Sequence, residues 1–326
     1  MIIARAPVRI SFFGGGTDHP EFFLEEGGAV LSTAIDKFVY TTANYFPSHM
    51  YEYAIRLSYS SVELAKKIDE VEHNIFRECL KHAEIEKDIA LHSAFDTHAL
   101  SGLGSSSSLV VSTLQALMSF KKRFLTPKEL AREAIFVEKH RVKAKVGCQD
   151  QVAAAFGGFN LIEFRTEQDF HVHRVPLSLE RLANLENHLF LVYTGIVRNA
   201  SDVTAHQLKK VKDNIPALRA MKKMAYDGYE ILTNGKPLRK FGELLNEAWE
   251  KKRSLDGGVS NGRIDKLYKK GLAAGAWGGK LLGAGGGGFL LFFADPKVHS
   301  RLKKTFSPKY VLPIKINAPG SQIIFS

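Results

Sequence analysis

The sequence has few cysteines and no long apolar run, and each shortage argues against a class of protein. Only Cys79 and Cys148 occur among 326 residues, which is too few for a disulfide framework and fits a reducing cytosol. Apolar runs such as 289–294 are far shorter than the roughly 20 residues of a membrane span. Arg5 and Arg9 interrupt the only apolar stretch near the start, so no signal peptide is expected. We therefore expect a cytoplasmic protein without a membrane partner.

Acidic residues are also in the minority. There are 34 Asp and Glu against 45 Lys and Arg, which gives a formal net charge of +11. Such an excess suits polyanions or phosphorylated small molecules as partners. The basic clusters at 209–212, 222–223 and 251–253 lack interleaved aromatic residues. They are predicted to be solvated helix faces, and nucleic-acid binding is not expected.

The length of the chain predicts two domains, because a single hydrophobic core seldom serves more than ~250–300 residues. A change of pattern near 176–187 separates strand-rich segments from long helical ones. We expect a first domain at residues 1–180 and a second at residues 181–326.

The most informative stretch is 101–108, Ser-Gly-Leu-Gly followed by four serines, which runs into an apolar segment with helical spacing at 109–117. Glycines allow close backbone approach, and free amides at a helix N-terminus attract anions. The stretch predicts a phosphate-binding loop. A Ser/Gly linker is the alternative, which the apolar helix disfavours. A Walker A loop needs Lys where Ser105 stands, and no serine here has the following glycine of a hydrolase nucleophile.

A second glycine turn follows the apolar segment at 2–13, which reads as a strand edged or interrupted by Pro7. The turn, Gly-Gly-Gly-Thr at 14–17, ends on Asp18. Glycines there let a ligand lie against the backbone, and a carboxylate can accept hydrogen bonds from sugar hydroxyls. A hairpin turn with a surface aspartate is the alternative.

Two further acidic residues stand beside predicted helices. Thr126, Pro127 and Glu129 predict a helix start with a capping box. Glu138 projects from the apolar face of that helix, so its carboxylate must be paired, protonated or bound to a metal, unless it lies at a solvated edge. Asp150 opens a turn of small residues, where a plain helix cap is the alternative.

A third glycine segment matches the pattern GxGxxG at Gly283, Gly285 and Gly288. A dinucleotide-binding loop requires a helix next, whereas 289–293 reads as a buried strand. We expect instead a loop whose backbone packs closely against the active site. His171 and His173 alternate onto one strand face without a third metal ligand, so they are predicted to be surface residues.

The three glycine-containing segments, in this order along the chain, resemble those of the GHMP kinases. They are residues 6–18, 102–106 and 282–288. Each alone is weakly specific, but together they span nearly the whole chain. The resemblance implies an α+β fold of two parts, the first similar to ribosomal protein S5 domain 2 and the second ferredoxin-like, with ATP between them.

The resemblance also implies roles for individual residues. Asp150 would take the proton from a sugar hydroxyl, and Arg9 would lie near that hydroxyl. Ser106, or its neighbour Ser105, would bind Mg²⁺ together with Glu138. The loop expected around the ATP phosphates comprises Gly102, Leu103, Gly104, Ser105, Ser106 and Ser107. The residues expected to contact the substrate are Asp18, Gly16, Thr17, Gly285 and, for a phosphate group, Arg198.

The activity implied is ATP-dependent phosphorylation of a sugar at its anomeric hydroxyl. The residues at 5–18 and 146–151 carry the part of the resemblance that favours a heptose 7-phosphate as acceptor and its 1,7-bisphosphate as product. Another sugar such as fucose is the alternative, whereas Gly15 and Gly16 stand where galactokinases carry Glu and His. A non-catalytic sugar or nucleotide sensor is disfavoured, because both candidate acidic residues are present. The resemblance leaves a homodimer open.

Overall fold

Two β-sheets with flanking helices make up the fold. The computed structural model describes residues 1–97, 102–197 and 200–326. Within these ranges the strands form one eight-stranded and one four-stranded sheet, which confirms the expected α+β class. No helix of the described residues is both long and apolar enough to cross a membrane.

The larger sheet carries the first two glycine-containing segments at the ends of its strands. Its strands are β1 (Ile2–Phe13), β2 (Gly28–Tyr45), β3 (Ile55–Ser58), β4 (Val62–Ala65), β5 (Ile89–Phe95), β6 (Phe159–Phe164), β7 (Phe170–Arg174) and β12 (Gln322–Phe325). Their order is β12-β1-β2-β5-β3-β4, with β6 also paired to β2, and β7 to β6. Among the paired strands of the described residues, β3 and β5 are the parallel pair. The long strand β2 pairs with β6 over residues 28–33 and with β5 over residues 39–45.

The smaller sheet is antiparallel and lies in the second half of the chain. Its strands are β8 (Leu189–Tyr193), β9 (Ala276–Leu281), β10 (Phe289–Ala294) and β11 (Val311–Leu312), in the order β11-β8-β10-β9. Every residue of β10 is buried, as expected for a strand that is covered on both faces. The strand predicted directly after the third glycine segment is therefore confirmed.

Helices cover both sheets. They are α1 (Pro20–Glu26), α2 (Asn74–His82), α3 (Ser105–Phe120), α4 (Pro127–Phe136), α5 (Gln149–Phe156), α6 (Leu179–Asn187), α7 (Ala200–Lys209), α8 (Ile215–Thr233), α9 (Leu238–Leu255), α10 (Gly262–Ala273) and α11 (His299–Phe306). Helices α3, α5 and α8 contact β1 and β2, and α9 contacts β9 and β10. Gly228 lets α8 approach β1 closely, since a Cβ there would lie 2.6 Å from the Phe13 ring.

Helix α4 begins where the sequence predicts, with a capping box. The hydroxyl of Thr126 accepts from the Glu129 amide at 3.3 Å, and the Glu129 carboxylate accepts from the Thr126 amide at 2.8 Å. Beyond Phe136 the chain widens into a π-helical turn at Val137–Arg141. Glu138 therefore lies on a π turn, a feature common at functional sites, rather than on a regular α-helix.

The last part of the chain is made of short elements. Helix α11 follows a short 3₁₀ turn, and β11 has only two residues. The tail forms strand β12. It pairs antiparallel with residues 3–5 of β1.

The largest hydrophobic cluster draws on both halves of the chain. Phe12 and Phe13 of β1 meet the Phe241 ring of α9 edge to face, with centroids 5.2 and 5.0 Å apart. Phe241 also contacts Phe293 of β10 at 5.3 Å. The packing joins the two sheets, and the domain boundary near residue 180 stays a prediction.

Candidate active site

The three glycine-containing segments meet at one cleft, with about 1120 Å³ of space that is partly open to solvent. Backbone from each segment lines it, including Gly16, Gly104 and Gly285. The charged side chains that line it are Arg9, Asp18, Glu138, Asp150, Lys252 and Lys280. The cleft thus combines backbone donors with both signs of charge, as a site for phosphate chemistry requires.

The second glycine segment delivers the N-terminus of α3 to the cleft. Gly104 precedes the helix in a left-handed conformation, with φ of +81°. Among the residues that the structure describes, no side chain caps the first turn, and the turn itself contains no acidic residue. The amides of the first turn lack intrahelical partners, and the helix dipole adds positive potential, so the turn can hold an anion. Gly102, Gly104, Ser105, Ser106 and Ser107 all line the cleft.

Two predicted contact residues, Leu103 and Thr17, do not line the cleft. The Leu103 side chain is fully buried in the core, and its carbonyl accepts from the Arg9 amide at 2.9 Å. The Thr17 hydroxyl donates to the carbonyls of Gly14 and Ala29 at 2.8 and 3.0 Å, so it fixes the glycine turn. Direct side-chain contact of either residue with a ligand is therefore not supported.

Asp18 lines the cleft, but its carboxylate already has backbone partners. Its Oδ1 accepts from the amide of Gly16 at 2.9 Å, and its Oδ2 accepts from that of Gln149 at 3.2 Å. The residue is 1 % exposed, which excludes the alternative of a surface aspartate. A carboxylate offers about four acceptor positions, so two remain for sugar hydroxyls.

The third glycine segment packs backbone against backbone, as the sequence predicts. A Cβ on Gly283 would lie 2.6 Å from Cα of Gly102, and one on Gly285 would lie 2.8 Å from Val259. The glycines therefore let the second and third segments touch directly. The strand that follows confirms that this is not a dinucleotide-binding loop.

Arg9 and Asp150, which are 141 positions apart in the sequence, form a two-point ion pair in the cleft. The guanidinium Nε and Nη2 each lie 2.7 Å from one oxygen of the carboxylate. Nη1 donates to the carbonyl of Gly102 at 2.8 Å, which ties the pair to the phosphate-binding loop. Burial raises the pKa of Asp150, and the positive charge of Arg9 opposes this rise. Helix α5 starts at Gln149, so Asp150 lies in its first turn and the alternative of a plain helix cap is wrong.

Glu138 faces the cleft from the π turn and is fully buried. Its Oε1 accepts from the Ser106 hydroxyl at 3.0 Å, and its Oε2 accepts from Nε2 of Gln151 at 2.6 Å. Burial raises the pKa of this carboxyl group. The inward position predicted from the sequence is confirmed, and the solvated-edge alternative is wrong.

The donor set of Ser106 and Glu138 fits a magnesium ion that is shared with substrate phosphates. No group of three or more His, Cys, Asp or Glu side chains among the described residues could hold a metal by itself. Mg²⁺ commonly keeps several waters and takes only one or two carboxylates, together with phosphate oxygens. A hydroxyl and a buried carboxylate beside a helix N-terminus meet that requirement.

The structure adds four residues that the sequence analysis missed. Lys252 and Lys280 line the cleft and are 7 % and 3 % exposed, so the prediction of a solvated basic face is wrong for Lys252. His19 also lines the cleft, with a buried Nδ1 that has no partner in the described part of the chain. Gln151 holds Glu138. Helical spacing could have indicated Lys252, which follows Trp249 by three residues on the buried face of α9.

Arg198, the candidate for a substrate phosphate contact, lies outside the described residues. Gly16 and Gly285, two other predicted substrate contacts, line the cleft. His171 and His173 lie on β7 away from the cleft lining, with side chains about half exposed, as predicted.

Comparison with known proteins gives two matching family models. The model described as GHMP kinases N terminal domain matches residues 54–158, and GHMP kinases C terminal matches residues 232–307. A D-glycero-alpha-D-manno-heptose 7-phosphate kinase from Campylobacter jejuni subsp. jejuni serotype O:2 is 30% identical over 307 residues, which cover 90% of each chain. The bifunctional fucokinase/GDP-fucose pyrophosphorylase of Arabidopsis thaliana is 28% identical over 335 residues, which cover 95% of this chain and 31% of that protein.

A solved structure shares the fold over the full length. It is that of a D-glycero-D-manno-heptose 1-phosphate kinase from Bacteroides thetaiotaomicron, with a TM-score of 0.82 at 23% sequence identity, and the match covers 100% of both chains. At this identity the likeness establishes the architecture alone.

Proposed function

The chain belongs to the GHMP kinases, and on this basis we propose that it phosphorylates the anomeric hydroxyl of D-glycero-D-manno-heptose 7-phosphate, with ATP as donor, to give the 1,7-bisphosphate. The observation that carries the proposal is the Arg9–Asp150 pair, which lies in the cleft beside the phosphate-binding loop. The 30% identity to the Campylobacter jejuni enzyme supports the choice of acceptor.

Asp150 acts on the acceptor hydroxyl in this proposal. Its carboxylate accepts the proton as the hydroxyl oxygen attacks the γ-phosphorus. Burial raises its pKa, and a carboxylate with a raised pKa is a better base. The guanidinium of Arg9 fixes both carboxylate oxygens and places a positive charge beside the reacting atoms.

The residues that would bind ATP, the phosphoryl donor, lie on α3 and the π turn. Amides at the N-terminus of α3 hold phosphate oxygens, while Ser106 and Glu138 are the residues that would hold Mg²⁺. When bound, the metal neutralises negative charge on the β- and γ-phosphates. The protein's own contribution is to align the γ-phosphorus with the acceptor oxygen, since phosphoryl transfer depends mainly on positioning and charge.

The acceptor side is formed by the first and third glycine segments. Asp18, Gly16 and Gly285 line the same cleft as Asp150, and we propose that they bind the sugar. Thr17 would support this region only by fixing the turn. Arg198 stays a prediction as the contact for the 7-phosphate.

The test is a panel of acceptors with Mg-ATP. D-glycero-D-manno-heptose 7-phosphate, L-fucose, D-galactose and D-mannose are each incubated with the protein, ADP release is measured, and phosphorus NMR locates the new phosphate. We expect turnover with the heptose 7-phosphate and a phosphate on its anomeric carbon. Absence of transfer to every acceptor, while ATP still binds, would contradict a sugar kinase.

A second candidate acceptor is L-fucose. It is favoured by the 28% identity to the Arabidopsis thaliana protein, whose name includes fucokinase, although the match covers only 31% of that protein. Turnover with L-fucose in place of heptose 7-phosphate would support this alternative and leave the proposed roles of Asp150 and Arg9 in force.

A further inference from the structure

A lysine of α9 reaches into the cleft without an assigned role. Lys252 is 7 % exposed, whereas its neighbour Lys251 faces solvent. The Lys252 ammonium donates to the carbonyls of Leu281, at 3.4 Å, and Gly283. An ammonium group has three donors, so these carbonyls leave one for a ligand.

The position of Lys252 is close to the proposed reaction centre. Its partner Gly283 packs against Gly102, and the Gly102 carbonyl accepts from Arg9, which in turn holds Asp150. Four successive contacts, counting that of Lys252 with Gly283, thus connect the ammonium with the carboxylate. Lys252 lines the same cleft as Arg9 and Asp150, the two residues proposed to act at the acceptor hydroxyl.

The charge of Lys252 lacks a carboxylate partner of its own. No salt bridge of the described residues includes it, although a buried ammonium is costly unless an anion compensates it. Lys280 adds a second buried ammonium, which donates to the carbonyl of Phe12 at 2.8 Å. The hydrogen-bond partners of both ammonium groups within the described part of the chain are carbonyls, which makes the cleft suited to an anionic ligand.

We propose that Lys252 contacts the phosphoryl group during its transfer from ATP to the acceptor. This proposal rests on the proposed function. The bond between phosphorus and the bridging oxygen of ADP breaks, and ADP leaves with its electron pair. The acceptor oxygen bonds to phosphorus and its proton passes to Asp150, while the Lys252 ammonium stays protonated and stabilises the nonbridging oxygens.

The proposed contact predicts that activity depends on pH, because Lys252 must carry its positive charge. The ionisable groups that face Lys252 are Arg9 on β1, Asp18 after β1, Asp150 on α5 and Lys280 on β9. Burial, and then the charge of Arg9, lower the pKa of Lys252 to about 8. The ammonium of the free enzyme is therefore lost as the pH rises through about 8, and kcat/KM should fall with it. An arginine keeps its charge over this range.

The experiment compares Lys252→Met and Lys252→Arg with the control Lys251→Met on the same helix. Each is assayed with Mg-ATP and the acceptor that wild type uses, from neutral to alkaline pH. We expect kcat of Lys252→Met to fall by about 10²–10³, as for other groups that stabilise a transition-state charge. Lys251→Met should match wild type, and the alkaline fall should disappear in Lys252→Arg.

Several outcomes overturn the proposal. One is an unchanged kcat in Lys252→Met. Another is a rise in KM that is confined to phosphorylated acceptors, which would assign Lys252 to the acceptor's own phosphate. If Lys252→Met does not fold, Lys252→Arg provides the test. A loss of activity at alkaline pH in Lys252→Arg that equals the loss in wild type would contradict the proposal.

The failure of the proposed function would be visible separately, as a wild-type protein that phosphorylates no sugar. The contact is then tested by the binding of Mg-ADP with aluminium fluoride, which mimics the phosphoryl group in transfer. Weaker binding in a folded Lys252 variant, with ADP affinity unchanged, supports the contact. Equal binding of the complex in wild type and variant overturns it.

Discussion

Asp18 and Gly147 are in contact across the cleft, although 129 positions separate them in the sequence. A Cβ on Gly147 would lie 1.9 Å from Oδ2 of Asp18. The next amide, that of Cys148, donates to the Asp18 carbonyl at 2.9 Å. Gly147 and Cys148, which precede α5, therefore fix the position of Asp18, the residue proposed to bind the sugar. The same segment leads to Asp150 in the first turn of α5.

Gly147→Ala should displace Asp18 and impair use of the acceptor. A shift of about 1 Å in a positioned group can cost ~10²-fold in rate, so we expect a fall in kcat/KM of about that size. The measurement is steady-state kinetics against the acceptor, with ATP affinity determined separately. Gly262→Ala is the matched control, since nothing lies within 4 Å of its added Cβ. Wild-type kinetics in Gly147→Ala would contradict the role of Asp18.

Asp150→Asn should remove the carboxylate that accepts the proton, while the side chain keeps its shape. General base catalysis contributes about 10²–10⁴-fold, and we expect a loss of turnover in this range. ATP affinity, measured by calorimetry, should stay within a few-fold of wild type, because the phosphate-binding loop is unchanged. Asp213→Asn, at an exposed position, is the control. A variant that turns over normally would remove Asp150 from the mechanism.

The acidic limb of the pH profile should report Asp150. Burial raises the pKa of this carboxyl group, and the charge of Arg9 opposes the rise. The base works only when ionised, so kcat/KM should be lost as the pH falls through the raised pKa and recovered as the pH rises. The residual activity of Asp150→Asn should show no such limb. An unshifted midpoint near the usual value for aspartate would argue against the buried environment.

Gln151→Met should weaken metal binding without touching the ion directly. It removes the 2.6 Å hydrogen bond from Gln151 to Glu138, and the loss of such a supporting contact typically costs 10–100-fold in metal affinity. The readout is the Mg²⁺ concentration that gives half-maximal nucleotide binding. Gln168→Met, at an exposed site, is the control. An unchanged Mg²⁺ requirement would mean that Gln151 only fills space.

Thr126→Ala should reduce stability and leave catalysis intact. It removes the capping box of α4, and loss of such a cap costs about 1 kcal/mol. The free energy of unfolding, from urea denaturation, should fall by that amount relative to wild type. Glu86→Ala, an exposed position outside any helix, serves as the reference. A fall in kcat of the folded variant would contradict this prediction. It would show that α4 also affects catalysis, through Glu138.

Features with a local cause could be predicted from the sequence. The start of α4 follows from Thr126 and Glu129, which are neighbours in the chain, and the inward position of Glu138 follows from helical spacing. The strand that carries His171 and His173 was likewise predicted, because the alternation of its side chains is a local pattern.

Features that depend on distant parts of the chain could not be derived in this way. Nothing in the spacing of Arg9 and Asp150 indicates an ion pair, and only the family resemblance placed both near the acceptor. The basic residues at 251–253 predict a solvated face, so the sequence does not indicate that Lys252 is buried. Strand β12 has too little pattern of its own, and it forms because β1 offers an open edge at residues 3–5.

That pairing of β12 with β1 has a consequence for synthesis of the protein. Strand β1, which carries Arg9, leaves the ribosome about 320 residues before its partner at 322–325. At about 5–20 residues per second, the edge of β1 waits roughly 15–60 s for that partner. An open strand edge is a site for wrong pairing between chains. The nascent chain should therefore depend on chaperone protection until β12 emerges.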